Sequence, residues 1–388
     1  MFLSLLHAAL AAPAPMPTHD LYADDGEVRV ATGSVTFAVV GDTRDGGPVD
    51  RATGRMPAPD VEAAIVADIG STVDRDNLSF LVMLGNMVAG SGTGSWKGFA
   101  KDWHALIKGS ELSEGGTRIP VVPVAGTQDR EGDEWLKGFG TAFPGVGADI
   151  GFNRVGTWYR FDVNVAGKVW RMVVLDSNKA ALGSRWEEQL DWIPRACKGD
   201  YEGMLVFMNQ PMISLGVRQV SNEGGGPGEL IEAVEAATRI GMMKAVFAGN
   251  SGTNELFLPH GKLGELYVNA NSGAPAASQA RWGHAEAAGI PDIQLDPMFD
   301  LALLKEFDRW ASARAFPETV IDRAKARGTY EGFVGEYDAK AWPVQGWWEV
   351  RILGEELAVT FRSAGPDATF RDVYTTSYSR KGGWKIGN

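Results

Sequence analysis

Five hydrophobic runs along the chain end at short loops that carry polar side chains. The runs at 35–40 and 79–84 are rich in valine, leucine and phenylalanine, and such runs bounded by glycine predict buried strands. The loops are Gly41-Asp42-Thr43-Arg44, Gly85-Asn86-Met87-Val88, Gly126-Thr127-Gln128-Asp129, Met208-Asn209-Gln210-Pro211 and Gly249-Asn250-Ser251-Gly252. Because ligands bind outside the carboxyl ends of strands in layered α/β sheets, we expect these side chains to meet at one edge.

The segments between the runs alternate between helix and strand. Helices are predicted at 58–70, 96–108, 186–193 and 229–240, so the first half has a βαβα order that indicates a parallel, layered α/β sheet. Ala166-Gly167-Lys168 lies between two hydrophobic runs and predicts a hairpin. Together with closing strands at 347–353, 357–362 and 370–379, the hairpin suggests a second, more antiparallel sheet.

The order, spacing and flanks of the loops resemble the calcineurin-like metallophosphoesterase superfamily, which includes purple acid phosphatases. The resemblance covers about residues 35–275 and implies a four-layer α/β/β/α sandwich. It also implies a core at 30–275, a mostly helical insert at 276–345 and closing strands of the same domain at 346–388. Residues 1–17 are interpreted as a weak secretion signal and spacer.

The resemblance implies a role for each loop position, and most of the side chains differ from the pattern. Asp42 matches the first metal-binding aspartate, whereas Arg44 stands where a histidine is expected and Asn86 where the metal-bridging aspartate is expected. Thr127 and Gln128 stand at an asparagine and a histidine.

In the later loops, too, most side chains differ from the family pattern. Asp129 keeps an acidic position, Asn209 stands at the histidine that precedes a proline, and Asn250 and Gly252 stand at two further histidines. The stretches 175–178, 189–193 and 267–275 also match the family pattern in order and character.

These replacements argue against a pair of metal ions. Two divalent ions about 4 Å apart need anionic bridging ligands and strong donors to offset their repulsion. Asn86 offers a neutral amide oxygen, and amides are poorer donors for zinc or iron than imidazole. All five histidines lie outside the loops (His7, His19, His104, His260 and His284). We therefore expect no cofactor; the alternative is one hard divalent ion, Mg²⁺, Ca²⁺ or Mn²⁺, on Asp42, Asn86, Asn209 and Asn250.

Arg44 is the most informative replacement. A guanidinium two residues after Asp42 would repel a metal ion and could pair with Asp42 or Asp129 through charge-assisted hydrogen bonds. The hypothesis is that Arg44 fills part of the space that a metal ion would occupy. The alternative is an ordinary loop arginine at the surface.

Three functions remain open from the sequence. The first is a non-catalytic relative that binds a small, anionic ligand or a protein partner through the inherited cleft. Its ligand-binding candidates are Asp42, Arg44, Asn86, Gln128, Asp129, Asn209 and Asn250. The second is a divergent phosphoesterase that uses Asp42 and Asp129 as catalytic residues with one hard metal ion. The third is a structural extracytoplasmic protein.

Composition limits the classes of partner and the possible location of the protein. The net charge of −12 argues against nucleic-acid binding, which needs a basic surface to displace counterions. A single cysteine, Cys197, excludes an intrachain disulfide. No stretch is long and apolar enough to predict a transmembrane helix. The apolar N-terminus favours an extracytoplasmic location over a cytoplasmic one.

Overall fold

The structure is a computed structural model, and the residues that it describes are 27–43, 59–76, 78–88, 93–103, 106, 121–130, 135–143, 157–214, 226–251, 254–259, 263–272, 337–342, 346–364 and 370–386. In chain order the strands are β1 (Glu27–Thr32), β2 (Val35–Val40), β3 (Leu78–Met83), β4 (Val121–Pro123), β5 (Tyr159–Val165), β6 (Lys168–Val174), β7 (Gly203–Met208), β8 (Met243–Ala248), β9 (Asn254–Pro259), β10 (Leu266–Asn269), β11 (Tyr337–Trp342), β12 (Gly346–Leu353), β13 (Glu356–Ala364), β14 (Phe370–Ser379) and β15 (Gly383–Ile386). The α-helices are α1 (Pro59–Asp76), α2 (Thr93–Trp103), α3 (Trp135–Ala142), α4 (Lys179–Leu182), α5 (Arg185–Ala196) and α6 (Pro227–Ala237).

The strands form two mixed sheets. One sheet has the order β1-β5-β6-β7-β8-β10-β9-β11, and the other has the order β15-β14-β13-β12-β2-β3-β4. Parallel pairs such as β7 with β8 form the centre of the first sheet, and the parallel pairs β2 with β3 and β3 with β4 form one side of the second. The two sheets therefore hold the carboxyl ends of β2, β3, β4, β7 and β8, where the five loops begin.

Alternating side chains on the central strands produce four layers. Phe37 on β2 stacks on Phe80 at 4.5 Å between ring centroids and meets Phe207 of the other sheet edge-on at 6.2 Å. These residues belong to the core between the sheets. Outward-facing Val40 packs in the cluster with Trp96 of α2, and outward-facing Val206 packs in the cluster with Leu230 of α6. Helices thus cover the outer face of each sheet, which confirms the predicted α/β/β/α sandwich.

The predicted division of strands between the sheets was wrong. The closing strands do not form a second sheet with the hairpin: β12 pairs antiparallel with β2, whereas the β5–β6 hairpin pairs with β7. The hydrophobic pattern of a strand indicates which of its faces is buried but not which strand lies beside it, so periodicity does not identify its neighbours. The pairing with β2 does place the closing strands in the same domain as the core.

Several elements differ from the sequence predictions. Strands β1, β9, β11 and β15 were not predicted, and β11 lies within the range 276–345 that was expected to be mostly helical. Helix α1 continues through Gly70 to Asp76 because no left-handed residue ends it there. The predicted signal and spacer at 1–17 lie outside the described residues, as does the insert from residue 276 to residue 336. Across the described part of the chain, no helix has the length and hydropathy needed to cross a bilayer.

Candidate functional site

Three residues in the loops at the carboxyl ends of the strands have a left-handed backbone conformation. Asp42, Asn86 and Asn250 have positive φ angles of 49°, 53° and 58°. Aspartate and asparagine are the non-glycine residues that tolerate this left-handed region best, because their short polar side chains bond locally. Each position costs on the order of 1–3 kcal/mol, and such strain is concentrated at functional sites. The three residues therefore share a constrained geometry that presents their side chains to one another.

Two glycines allow the loops to approach closely. A Cβ on Gly41 would lie 2.4 Å from the carbonyl oxygen of Ala270, and a Cβ on Gly85 would lie 2.6 Å from Cα of Gly126. The Ser272 backbone N–H also donates to the Gly41 carbonyl at 2.7 Å. Gly41 and Gly85, each directly before a polar residue, therefore allow close backbone contact at these positions.

The Asn86 side chain lies at the centre of the site. Its Nδ2 donates to Asp42 Oδ1 at 2.8 Å and to Asn250 Oδ1 at 2.8 Å. The side chains of Asp42 and Asn86 are fully buried. One amide group therefore connects three of the loops that the sequence singled out.

The orientation of the Asn86 amide is fixed by the backbone. Its Oδ1 accepts the Gln128 N–H at 3.0 Å, and a backbone N–H can only donate. A flipped amide would set its NH₂ against this N–H and its oxygen against the Asp42 carboxylate. Asn86 therefore presents hydrogen-bond donors, not an oxygen ligand, towards Asp42 and Asn250.

The Asn209 amide is likewise used by the protein itself. Its Nδ2 donates to the Leu84 carbonyl at 2.7 Å, while its Oδ1 accepts the Thr127 N–H at 3.2 Å. Both atoms of this buried side chain thus hold the ends of β3 and β4 together. The arrangement explains why an amide at this position stabilises the loops.

Asp129 fastens two loops together. Its Oδ1 accepts the backbone N–H groups of Met87 at 2.7 Å and Val88 at 3.1 Å, and its Oδ2 accepts the Gly126 N–H at 2.9 Å. Burial raises the pKa of Asp129 to about 6, while these hydrogen bonds act in the opposite direction. The carboxylate form, which accepts from all three N–H groups, is therefore the main form at neutral pH.

Asp129→Asn should lower the free energy of unfolding by about 2 kcal/mol, because one buried N–H would lose its acceptor. An asparagine can keep one carbonyl oxygen, but its NH₂ would face another N–H donor. Urea denaturation at pH 7 measures the loss. Asp191→Asn, an exposed change of the same chemistry on α5, is the control and should change stability by less than about 0.5 kcal/mol. Equal losses in both variants would contradict the structural role of Asp129.

A second buried network lies beside the first and was not predicted. Arg130 Nη2 donates to Asp176 Oδ2, and the Arg130 guanidinium lies 4.4 Å from the Trp135 ring centroid. Asn178 donates to Asp176 Oδ1 from its backbone N–H at 3.1 Å and from its Nδ2 at 3.0 Å. Thr127 Oγ1 donates to Asn178 Oδ1 at 2.7 Å, which connects this network to the loop after β4.

Gln189 on α5 holds the Asp176 backbone. Its Oε1 accepts the Asp176 N–H at 2.8 Å and its Nε2 donates to the Asp176 carbonyl at 2.9 Å. This contact joins two of the stretches that match the family pattern, 175–178 and 189–193. Arg130 itself carried no sequence signal.

The described residues do not fit a pair of metal ions. The Asn86 NH₂ donates to two of the groups that would have to bind ions, and both atoms of the Asn209 amide bond the protein backbone. Within the ranges that the structure describes, no group of three or more His, Cys, Asp or Glu residues could hold an ion. Arg44, Gly252, His104 and His260 lie outside those ranges. The Gln128 side chain is half-buried at the edge of the site.

Sequence comparison finds no matching family model and no matching curated protein. Comparison of structures finds similar folds. The chain resembles GAP50, described as the anchor in the inner membrane complex of Plasmodium, with 12% identity, a TM-score of 0.51, and coverage of 92% of this chain and 90% of GAP50.

Two further structures are similar to the same degree. A purple acid phosphatase from yellow lupin seeds matches with 12% identity and a TM-score of 0.50. The match covers 89% of this chain and 54% of that protein. PhoD matches with 11% identity and a TM-score of 0.50, over 95% of this chain and 73% of PhoD. At these identities the likeness establishes the fold.

Proposed function

We propose that this chain, which has the calcineurin-like metallophosphoesterase fold, is a non-catalytic member of that fold. It binds a ligand or a protein partner through the cleft at the carboxyl ends of its strands. The single observation that carries the proposal is the Asn86 amide, whose two donated hydrogen bonds join Asp42 to Asn250. In the family pattern, a metal pair and its bridging carboxylate connect these loops. In this chain the hydrogen-bonded Asn86 side chain takes that role.

The remaining contacts support the same interpretation. A metal site needs ligand oxygens or nitrogens that are free to point at an ion. The Asn209 and Asp129 side chains instead bond the backbone, and the Asn86 side chain bonds the backbone, Asp42 and Asn250, so each keeps the loops in place without an ion. Asp129 as a catalytic acid or base would have to break contacts with three backbone N–H groups. These features favour binding over hydrolysis.

The ligand class follows from the charge expected near the cleft. We propose that Arg44 provides the positive charge beside Asp42, so that a small anion is one candidate ligand. A protein partner is the other, and GAP50, a structure of the same fold, is described as an anchor. We further propose an extracytoplasmic location.

Metal content tests the proposal most directly. The protein, purified without chelators, should contain Zn, Fe, Mn, Mg and Ca at well below one ion per chain, because Asn86 presents donors to Asp42 and Asn250 and both atoms of the Asn209 amide bond the backbone. Elemental analysis measures this, and hydrolysis of a chromogenic phosphomonoester is measured on the same sample. The Asp42→Ala variant is the matched control, and it should change neither measurement.

The contrary result is well defined. A near-stoichiometric ion, lost together with phosphatase activity in Asp42→Ala, would overturn the proposal in favour of a divergent hydrolase. If metal and activity are both absent, a melting temperature that rises with inorganic phosphate would support an anion ligand, since a ligand that binds only the folded state stabilises it. No rise would leave a protein partner as the proposed ligand.

A further inference from the structure

The outer face of the closing strands carries a trough that is separate from the cleft. Its volume is 390 Å³, and its lining includes Arg351 on β12, Ala358 on β13, Ser377 on β14 and Lys385 on β15. Because β12 is antiparallel to β2 and Ile352 pairs with Val35, the trough lies near the start of β2. The cleft begins beyond the other end of that strand, so the trough lies at the opposite end of the sheet.

Strand register gives the trough its shape. Arg351 pairs with Ala358, Ala358 pairs with Ser377, and Ser377 pairs with Lys385. The four neighbouring side chains in this row of the sheet are therefore long (Arg351), small (Ala358), small (Ser377) and long (Lys385). With strands about 4.8 Å apart, the two basic residues stand about 14 Å from each other across a floor of one methyl and one hydroxyl group. Both basic residues are exposed.

The two cations that line the trough differ from their neighbours in charge pairing. Lys168 and Arg380 pair with Glu202 and Glu355, and Arg362 pairs with Asp68 and Asp372. Among the described residues, no acidic side chain forms an ion pair with Arg351 or Lys385. Both charges are therefore available to an anionic ligand.

The polarity of the lining sets the position of a ligand. Ser377 and Ser379 supply hydroxyl groups to the floor, and Leu353 supplies an apolar wall at one end. Glu356 also lines that end and would repel an anion there. Arg351 and Lys385 lie on opposite sides of the floor, so the region between them attracts negative charge.

We infer that this trough binds a small, multiply charged oxyanion. Arg351 provides the planar donor fork that matches a phosphate or carboxylate group, Lys385 provides a point charge on the other side, and Ser377 donates from the floor. The shared chemistry is that of a polyphosphate or a polycarboxylate. The site goes beyond the function proposed for the cleft and does not depend on it.

Calorimetric titration with tripolyphosphate and with citrate, at constant ionic strength in chloride, tests this inference. The wild-type protein should bind at least one of the two, and the stronger binder identifies the anion as phosphate or carboxylate. The double variant Arg351→Gln/Lys385→Gln should bind that anion at least tenfold more weakly. Its melting temperature in chloride should match that of the wild-type protein, which shows that the fold is intact.

A matched control separates a site from general attraction to positive charge. Arg371→Gln/Lys381→Gln removes the same charges from exposed positions of β14 and its following turn, and neither residue lines the trough. This control should bind as tightly as the wild-type protein. The inference is overturned if neither anion binds, if both double variants weaken binding equally, or if the trough variant binds like the wild-type protein. The last result would place any anion binding elsewhere, including at the cleft.

Discussion

Asn86→Asp should lower the free energy of unfolding by about 3–5 kcal/mol at pH 7, the loss typical of an uncompensated buried charge. The change removes the two N–H donors that bond Asp42 and Asn250 at 2.8 Å each. It also places a second carboxylate against the buried Asp42 carboxylate, where water cannot screen the repulsion. Introducing the aspartate that the family pattern has at position 86 should therefore destabilise this protein.

The loss in Asn86→Asp should become smaller as the pH falls. Two neighbouring carboxylates raise the pKa of one of them above the value of about 3.9 in the unfolded chain. The folded variant then binds more protons than the unfolded variant, so its stability rises as the pH is lowered towards that value. Urea denaturation at pH 7 and at pH 5 measures this difference against the wild-type protein.

Asn164→Asp is the matched control for this experiment. Asn164 is exposed, and its Oδ1 accepts the Gly167 N–H at 3.0 Å, a contact that an aspartate also makes. The same chemical change should alter stability by less than about 0.5 kcal/mol there. The prediction fails if Asn86→Asp is as stable as the wild-type protein. It also fails if Mn²⁺ or Zn²⁺ restores the stability of Asn86→Asp, because the loops would then still fit ions.

The position of the site could be predicted from the sequence because it depends on local signals. Each loop follows a hydrophobic run, and three of the loops have an aspartate or asparagine directly after a glycine. The left-handed backbone of Asp42, Asn86 and Asn250 is therefore consistent with their residue types. Parallel strands then bring the loops to one edge, as predicted.

The direction of the hydrogen bonds could not be predicted in the same way. Asparagine both donates and accepts, and the Asp42 carboxylate and the Gln128 N–H, 44 and 42 positions away, fix which end of Asn86 faces Asp42. The sheet that each closing strand joins is a similar case, since it depends on contacts distant in sequence such as Val39 with Trp348. Local patterns contain neither fact.

The ion pair between Arg130 and Asp176 is the clearest contact that sequence reasoning missed. Both residues are almost fully buried, with side-chain exposures of 8% and 0%, and 46 positions separate them. The stretch 175–178, which contains Asp176, matches the family pattern, but nothing near Arg130 marks it as the partner of Asp176. The pair nevertheless holds the loop after β4 against the loop after β6, so it determines how one wall of the cleft is placed.

Asp176→Asn should lower the free energy of unfolding by about 3–5 kcal/mol, because it leaves the buried Arg130 guanidinium without a counter-charge and sets an NH₂ against it. Arg130→Met should cost less, about 1–3 kcal/mol, since Asp176 keeps the two hydrogen bonds from Asn178. The double variant should be more stable than the sum of the two losses implies by at least about 1 kcal/mol, because the amide introduced at position 176 no longer faces a buried cation. Denaturant unfolding of all four proteins completes the cycle. A coupling energy near zero would show that the two side chains do not depend on each other, and that the wall of the cleft is held by the Asn178 and Gln189 contacts alone.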